Sequence, residues 1–343
     1  MRIAREIPVD SGQRFQIDRF RPEDALGIAN LYYAVYGPDY PFDTYYIPER
    51  IREENQSGNI HSVVARTPKG DIIAHGALYR SSPPYGNLFE VGQYLVLKSY
   101  RDTFAAYKIN QYIAETLIPH VRPDGIFGEA VCSHLATQKA SAFMGMKGVA
   151  LEVDLMPYEV YEKEKIAPGR VSCLIQFRSF GDRPHEVFVP SAYREQIAYI
   201  LSDLDLSREI TPSTAAIPRD CKSETTVKFF PYAGVARANV QGAGADFTQA
   251  VAKLEQEAQA QELVVLQCFL NLGSPWIGPA VEHLRQRGYF FCGYLPRWFD
   301  TDGLLMQRLQ GAPHWDGLQL FEEKAGRILE MVQADWRETQ PRP

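Results

Sequence analysis

The sequence predicts an α/β protein in which two similar domains each fold a central mixed sheet flanked by helices. Three observations carry that expectation. Residues 88–153 read as strand, turn, helix, strand, helix, strand, an alternation that belongs to α/β sheets. Residues 227–309 repeat that order without obvious sequence identity. Between the two runs, residues 157–170 (PYEVYEKEKIAPGR) are charged and bounded by prolines, as domain linkers are. At 343 residues the chain is also too long for one simple core. The expected organisation is therefore a domain over 1–158, a second over 171–312 and a helical tail over 313–343.

The elements follow in order. Residues 14–21 read as an opening strand. Pro22-Glu23-Asp24 starts a helix, with proline and acidic residues where the first turn favours them. Its apolar positions Leu26, Ile28, Ala29, Leu31, Tyr32 and Val35 suit one buried face, and Gly37-Pro38 stops it. A second helix runs from Pro48 to Gly58. Residues 61–66 and 72–79 flank the turn Thr67-Pro68-Lys69-Gly70-Asp71, a hairpin signal. Residues 88–97 (LFEVGQYLVL) form the next strand, 98–103 a polar turn and 104–120 an amphipathic helix. Strand 125–132, helix 135–143 and strand 147–153 close the first run. Beyond the linker, 171–180 and 186–189 are strands, 191–204 a helix and 205–224 a loop. Residues 227–241 are strand-like with a break at Gly234. Gly242-Ala243-Gly244-Ala245 is a small-residue turn, and Asp246 is placed to cap a helix over 247–261. Strand 263–270, helix 275–287 closed by Gly288, and strands 289–295 and 304–309 complete the repeat. A last amphipathic helix covers roughly 318–336.

Bulk properties narrow the function. Hydrophobic residues make up 45% and charged residues 23%, with a net charge of −6. No basic block is present, which argues against nucleic-acid binding. No apolar run is long enough to span a membrane, and MRIAREIPVD lacks the apolar stretch of a signal peptide. The five cysteines (Cys132, Cys173, Cys221, Cys268, Cys292) are widely spaced, and none forms a CxxC. They read as reduced thiols of a cytoplasmic protein, not as a metal site. Walker, zinc-protease and hydrolase-elbow motifs are missing.

The turn after strand 88–97 is the most informative stretch. A strand passing into a helix leaves backbone N–H groups at the helix start, and these attract phosphates. The string is Tyr100-Arg101-Asp102-Thr103-Phe104-Ala105-Ala106-Tyr107. With the element order of residues 14–156, it resembles the acyl-CoA-dependent N-acyltransferase superfamily, the GNAT fold. In that family a loop of form Q/R-x-x-G-x-G/A holds the coenzyme A pyrophosphate. Arg101 stands at the arginine position and Ala106 at the final small position. Asp102 and Phe104 replace small residues. A second similar string is Gly128-Glu129-Ala130-Val131-Cys132-Ser133-His134, then Gln138-Lys139 and Gly145. It resembles the family's N-x-x-A…Y-x-x-x-G-F, with His134 at the asparagine and Ser141 at the tyrosine position.

The resemblance implies an acyl-CoA-dependent N-acyltransferase that uses acetyl-CoA or another acyl-CoA as cosubstrate. The acceptor would be the amine of a small molecule or a protein. Leu95, Val96 and Leu97 would pair with pantetheine as an added strand. The Val96 amide would stabilise the oxyanion. Arg101, Asp102, Thr103, Phe104, Ala105 and Ala106 would form the phosphate turn. Glu90 and His134 are the candidate bases, with Glu129 beside them, and Ser141 or Tyr107 would return the proton to the thiolate. The aromatic residues Tyr32, Tyr33, Tyr36, Tyr40, Tyr45 and Tyr46 would wall the acceptor side.

Each residue has a plainer reading. Glu90 suits a solvated strand edge, His134 a helix cap, Glu129 an ion pair, His75 a satisfied core histidine and the tyrosines helix packing. In the second half, Gln241–Asp246 satisfies Q-x-x-G but ends in an acidic residue, which suits a capped turn better than a pyrophosphate. The tandem is thus read as a GNAT-like pair with a degenerate second half that shapes the acceptor site or a dimer face. The rival is a catalytically inactive protein of this fold that serves as an acyl-CoA or small-ligand sensor or interaction module.

Overall fold

The computed structural model describes residues 4–5, 7–38, 40, 42–157 and 169–340. The chain forms two compact units, Met1–Ser82 with Phe89–Pro123 and Pro83–Leu88 with Asp124–Pro343. The architecture is mixed α/β, as expected. The unit limits do not coincide with the expected division at 157–170, and residues 158–168 of that segment lie outside the described residues.

In the first unit, β1 (Gln16–Arg19) is shorter than expected and pairs antiparallel with β2 (Ile60–Arg66). The helix α1 (Asp24–Tyr36) ends at Gly37, whose φ of 66° only glycine adopts readily. The helix α2 (Pro48–Ser57) has proline in its first turn and a left-handed Gly58 after its last. The hairpin from β2 to β3 (Ile72–Tyr79) turns where the Gly70 N–H donates to the Thr67 carbonyl at 2.9 Å. The strand β4 (Leu88–Val96) pairs antiparallel with β3. Ile28, Leu31, Tyr32, Val64, Ala77 and Leu95 form the core between α1 and this sheet. Leu26, expected on the buried face, is 42% exposed. Asp24 instead anchors α1 through a bidentate pair with Arg66 at 2.5 and 2.8 Å.

The single helix expected over 104–120 is segmented. It comprises α3 (Ala105–Tyr112), a π-turn over Ile113–Leu117 and α4 (Ile118–Val121). Pro119 has no N–H to return to the carbonyl four residues back, and the Ile118 N–H bonds to Ile113, five back. At the other end, α3 lies close on β3 at Gly76, where a Cβ would meet Ile109 at 2.6 Å.

In the second unit, β5 (Gly125–Val131), α5 (Ala136–Phe143), β6 (Lys147–Pro157) and β7 (Arg170–Ser179) follow in sequence. In the sheet β7 lies between β5 and β6 and pairs antiparallel with both. Arg170–Ser179 thus completes the sheet of the strands before it. A separate parallel pair joins β8 (His185–Val189) to a strand inside the expected loop 205–224, β9 (Arg208–Pro212). The helix α6 covers Arg194–Leu201. The strand-like run near 227–241 is two strands, β10 (Glu224–Phe230) and β11 (Val235–Gly242), with Gly234 left-handed between them. Next come α7 (Phe247–Ala260), β12 (Val265–Asn271), α8 (Ile277–Arg285), β13 (Phe290–Phe299), β14 (Thr301–Leu309) and α9 (Glu323–Thr339).

Within this unit the strand order β5-β7-β6 is mirrored as β13-β14-β12, with β6 and β13 at the centre. The two central strands touch in register at Ala150 and Gly293. A Cβ on Gly293 would lie 2.3 Å from the Ala150 Cα, so only glycine fits. Left-handed Gly145 and Asp154 on one side correspond to Gly288 and Arg297 on the other, each at the same place relative to its strand. Trp298 fills the core beneath, stacked on Phe269 at 4.8 Å.

Candidate functional site

The site is built on β4. Its pairing with β3 slips between His75↔Leu95 and Ala77↔Gly92. The extra residue is Gln93, left-handed at φ 59°. A bulge of this kind turns a strand and re-aims its side chains. The Gln93 Oε1 accepts hydrogen bonds from Tyr32 at 2.8 Å and Tyr40 at 2.7 Å. Its carbonyl lies 3.1 Å from Nδ1 of His75, whose Nε2 is 3.0 Å from the Ser62 hydroxyl. Burial lowers the His75 pKa to about 4, so this histidine is neutral at pH 7. It is the satisfied core histidine, and its work is to hold the bulge.

The tyrosines form a packed group over the bulge. Tyr32 stacks on Tyr45 at 4.4 Å, and Tyr36 stacks on Tyr40 at 4.8 Å. Glu90 lies on the same strand, 8% exposed, and accepts a hydrogen bond from the Tyr79 hydroxyl. Burial raises the Tyr45 pKa, and the charge of Glu90 is the next cause. Glu90 therefore faces the tyrosine group and is not the solvated edge residue of the plainer reading. Gln93 and Tyr79 were missed from sequence. Gly92 within a strand was the one signal of a bulge there.

The register also sorts the three residues expected to bind pantetheine. The Leu97 N–H donates to the Ile73 carbonyl at 2.8 Å. Antiparallel alternation then turns Leu95 towards β3 as well, and Val96 away from it. Leu95 and Leu97 are corrected on this ground: their amides serve the sheet. The Val96 amide is left pointing away from β3.

Arg101, Asp102, Thr103, Phe104 and Ala106 are exposed, and Ala105 is buried. The Thr103 hydroxyl donates to the Tyr100 carbonyl at 2.7 Å and accepts from the Ala105 N–H at 3.3 Å. Thr103 and Ala105 thus satisfy one another. The first intrahelical bond runs from Lys108 to Phe104, so the amides of Phe104 and Ala106 meet no helix carbonyl. Tyr100, 1% exposed, pins the turn by donating to the Asp10 carbonyl at 2.6 Å. Phe104 is 75% exposed.

His134 and Ser141 belong to the second unit. The His134 Nδ1 accepts from the Ala136 N–H at 3.3 Å, so the imidazole caps α5, which argues against a base there. Ser141 sits on α5 and is 9% exposed. Glu129 lies 3.4 Å from Arg237, the ion pair of its plainer reading. Asp246 stands at the start of α7 but makes no side-chain cap; its carboxylate accepts from the Ser223 N–H at 2.6 Å. The parallel pair β11–β12 is in unbroken register from Val235↔Val265 to Val240↔Leu270, with no splay between the strands.

One buried polar group in the second unit has a measurable consequence. Arg237 also bonds Glu152 at 2.9 Å, and Gln267 donates to the same Glu152 oxygen at 2.8 Å. The other oxygen, Oε2, is buried and has no hydrogen-bond partner among the described residues. Burial first, and then the Glu129 charge, push the Glu152 pKa up to about 8. The folded protein therefore holds this proton more tightly than the unfolded chain. Stability from the group is fully present below about pH 4.5 and is lost as the pH rises towards 8. Glu152→Gln is expected to remove that loss, leaving the variant more stable than the parent at pH 8. Equal denaturation midpoints for the two at pH 5 and pH 8 would refute this.

Among the described residues no three or more His, Cys, Asp or Glu side chains are placed to hold a metal ion. No described helix is long and apolar enough to cross a membrane. No family model matches the chain, and no curated protein matches it. Over about half its length the chain is similar to solved acetyltransferases of the GNAT family. One is the ribosomal-protein-S5-alanine acetyltransferase of Vibrio fischeri, at 13% identity over 49% of this chain and 93% of that one, with a TM-score of 0.38. Another is an N-acetyltransferase of Staphylococcus aureus, at 16% identity over 49% and 99%, with a TM-score of 0.38. A third is the yncA protein of Salmonella typhimurium, solved with its cofactor acetyl-CoA, at 9% identity over 50% and 96%, with a TM-score of 0.39.

Proposed function

We propose that the protein is an acyl-CoA-dependent N-acyltransferase that moves acetyl or another short acyl group to the amine of a small molecule or protein. One strand supports this most. In succession β4 carries buried Glu90, left-handed Gln93 and the outward amide of Val96, and it leads to a helix start with unaccepted amides. The amine nitrogen attacks the thioester carbonyl carbon directly. Glu90 takes the proton that the amine sheds. The Val96 N–H steadies the oxygen as it gains charge. The tetrahedral intermediate collapses, the C–S bond breaks, and the thiolate leaves to be protonated. The tyrosine group around Gln93 walls the acceptor side. Arg101 and the Phe104 and Ala106 amides receive phosphate. The second half is a degenerate copy: unbroken pairing of β11 with β12 leaves no wedge for an added strand. Five free cysteines accord with a cytoplasmic location.

The rival sensor reading has its own observation. Asp102 and the exposed Phe104 stand in the turn where small residues favour close backbone approach. Calorimetric titration with acetyl-CoA and longer acyl-CoAs, with Arg101→Ala in parallel, separates the readings. The expected result is binding by the parent and about tenfold weaker binding by the variant, a modest loss because the guanidinium is exposed. No heat with any acyl-CoA would end the enzyme reading. Binding without thioester loss across an amine panel would favour the sensor.

A further inference from the structure

The strand β10 ends the second unit's sheet. One of its edges pairs with β11 from Thr225↔Val240 to Phe230↔Val235. Among the described residues no strand lies along the other edge. Glu224, Thr226 and Lys228 are exposed on one face, while Val227 and Phe229 pack on the core from the other. A row of unpaired amides and carbonyls on a firmly seated strand is a template for another strand.

We propose that this edge pairs antiparallel with β10 of a second copy of the chain, about a two-fold axis at Thr226. Charge selects the register. With the axis at Thr226, Glu224 lies opposite Lys228 of the second copy, and Lys228 lies opposite its Glu224. Thr225 then meets Val227 in both directions. An axis at Val227 sets Glu224 against Phe230 and Lys228 against Thr226. An axis at Thr225 sets Lys228 against Lys222. Only the first of these registers pairs both charges with their opposites, and directly opposed charges are the pairs that favour or oppose a strand pairing. A two-fold axis repeats each pair, so the choice counts twice.

The test is sedimentation of the full chain over a range of concentrations. The parent protein should show a monomer–dimer equilibrium. Glu224→Lys and Lys228→Glu each place two like-charge pairs in the interface, and each should weaken dimerisation about tenfold or more. The double variant Glu224→Lys/Lys228→Glu restores opposite pairs and should dimerise like the parent. In the dimer, the amides of residues 225–229 should exchange more slowly with solvent. A parent protein that stays monomeric overturns the proposal. So do single variants that dimerise normally, or a double variant that remains monomeric.

Discussion

Glu90→Gln should lower kcat by about 10²- to 10⁴-fold, the range for removing a general base. The amide has the shape of the carboxyl and can still accept the Tyr79 hydrogen bond, so the packing of β4 against β3 should persist. Acyl-CoA affinity should hardly change, because the phosphate turn lies beyond the strand's other end. Steady-state rates with an accepted amine, paired with acyl-CoA titration, decide the matter. A variant with parental kcat would remove Glu90 from the chemistry and leave it the role of a buried partner for Tyr79.

Asp302→Ala should cost the second unit about 3–5 kcal/mol, a fall in its melting temperature on the order of 10 °C. Asp302 is fully buried and accepts from the Tyr294 hydroxyl, the Arg208 Nε and the Arg297 N–H, the last at 2.8 Å. His185 Nε2 lies 3.3 Å away. Burial opposes its ionisation, but the nearby His185 imidazole and the bond and charge of Arg208 hold its pKa below the ordinary carboxylate value. Its stabilising contribution is thus present above about pH 4 and is lost only in stronger acid. The Arg208 side chain is 1% exposed, so the alanine variant leaves a buried guanidinium with Asp182 as its remaining ion-pair partner among the described residues. A shift in the thermal midpoint of only a degree or two would contradict this account.

The two sites differ in how far they could be read from sequence. The alternation of apolar residues is local, so the strands and helices of residues 88–153 were legible, and with them the turn at Arg101–Ala106. Gln93 was not, because a bulge is a mismatch between two strands and only pairing with β3 reveals it. The same limit hid Arg208. Its segment holds polar residues suited to a loop, and it becomes a strand only through β8. Its burial depends on Asp302, far along the chain. His134 could be read in two ways because a cap and a base use the same imidazole nitrogen, and only the folded chain brings the Ala136 N–H to it. Asp246 failed differently. It sits at the helix start as expected, but the Ser223 N–H reaches its carboxylate from a segment whose path the sequence does not disclose.

The close approach of Ala150 and Gly293 also bears on how the chain acquires its structure. The two residues are separated by more than a third of the chain, and they mark where the mirrored strand sets join. Such a contact carries a large loop-closure cost, so it forms late and slows folding. During synthesis β5, β7 and β6 emerge first, and the outer edge of β6 must wait for β13 to leave the ribosome. Through that interval a long apolar strand has no neighbour on one side, and nascent chains are open to mispairing there.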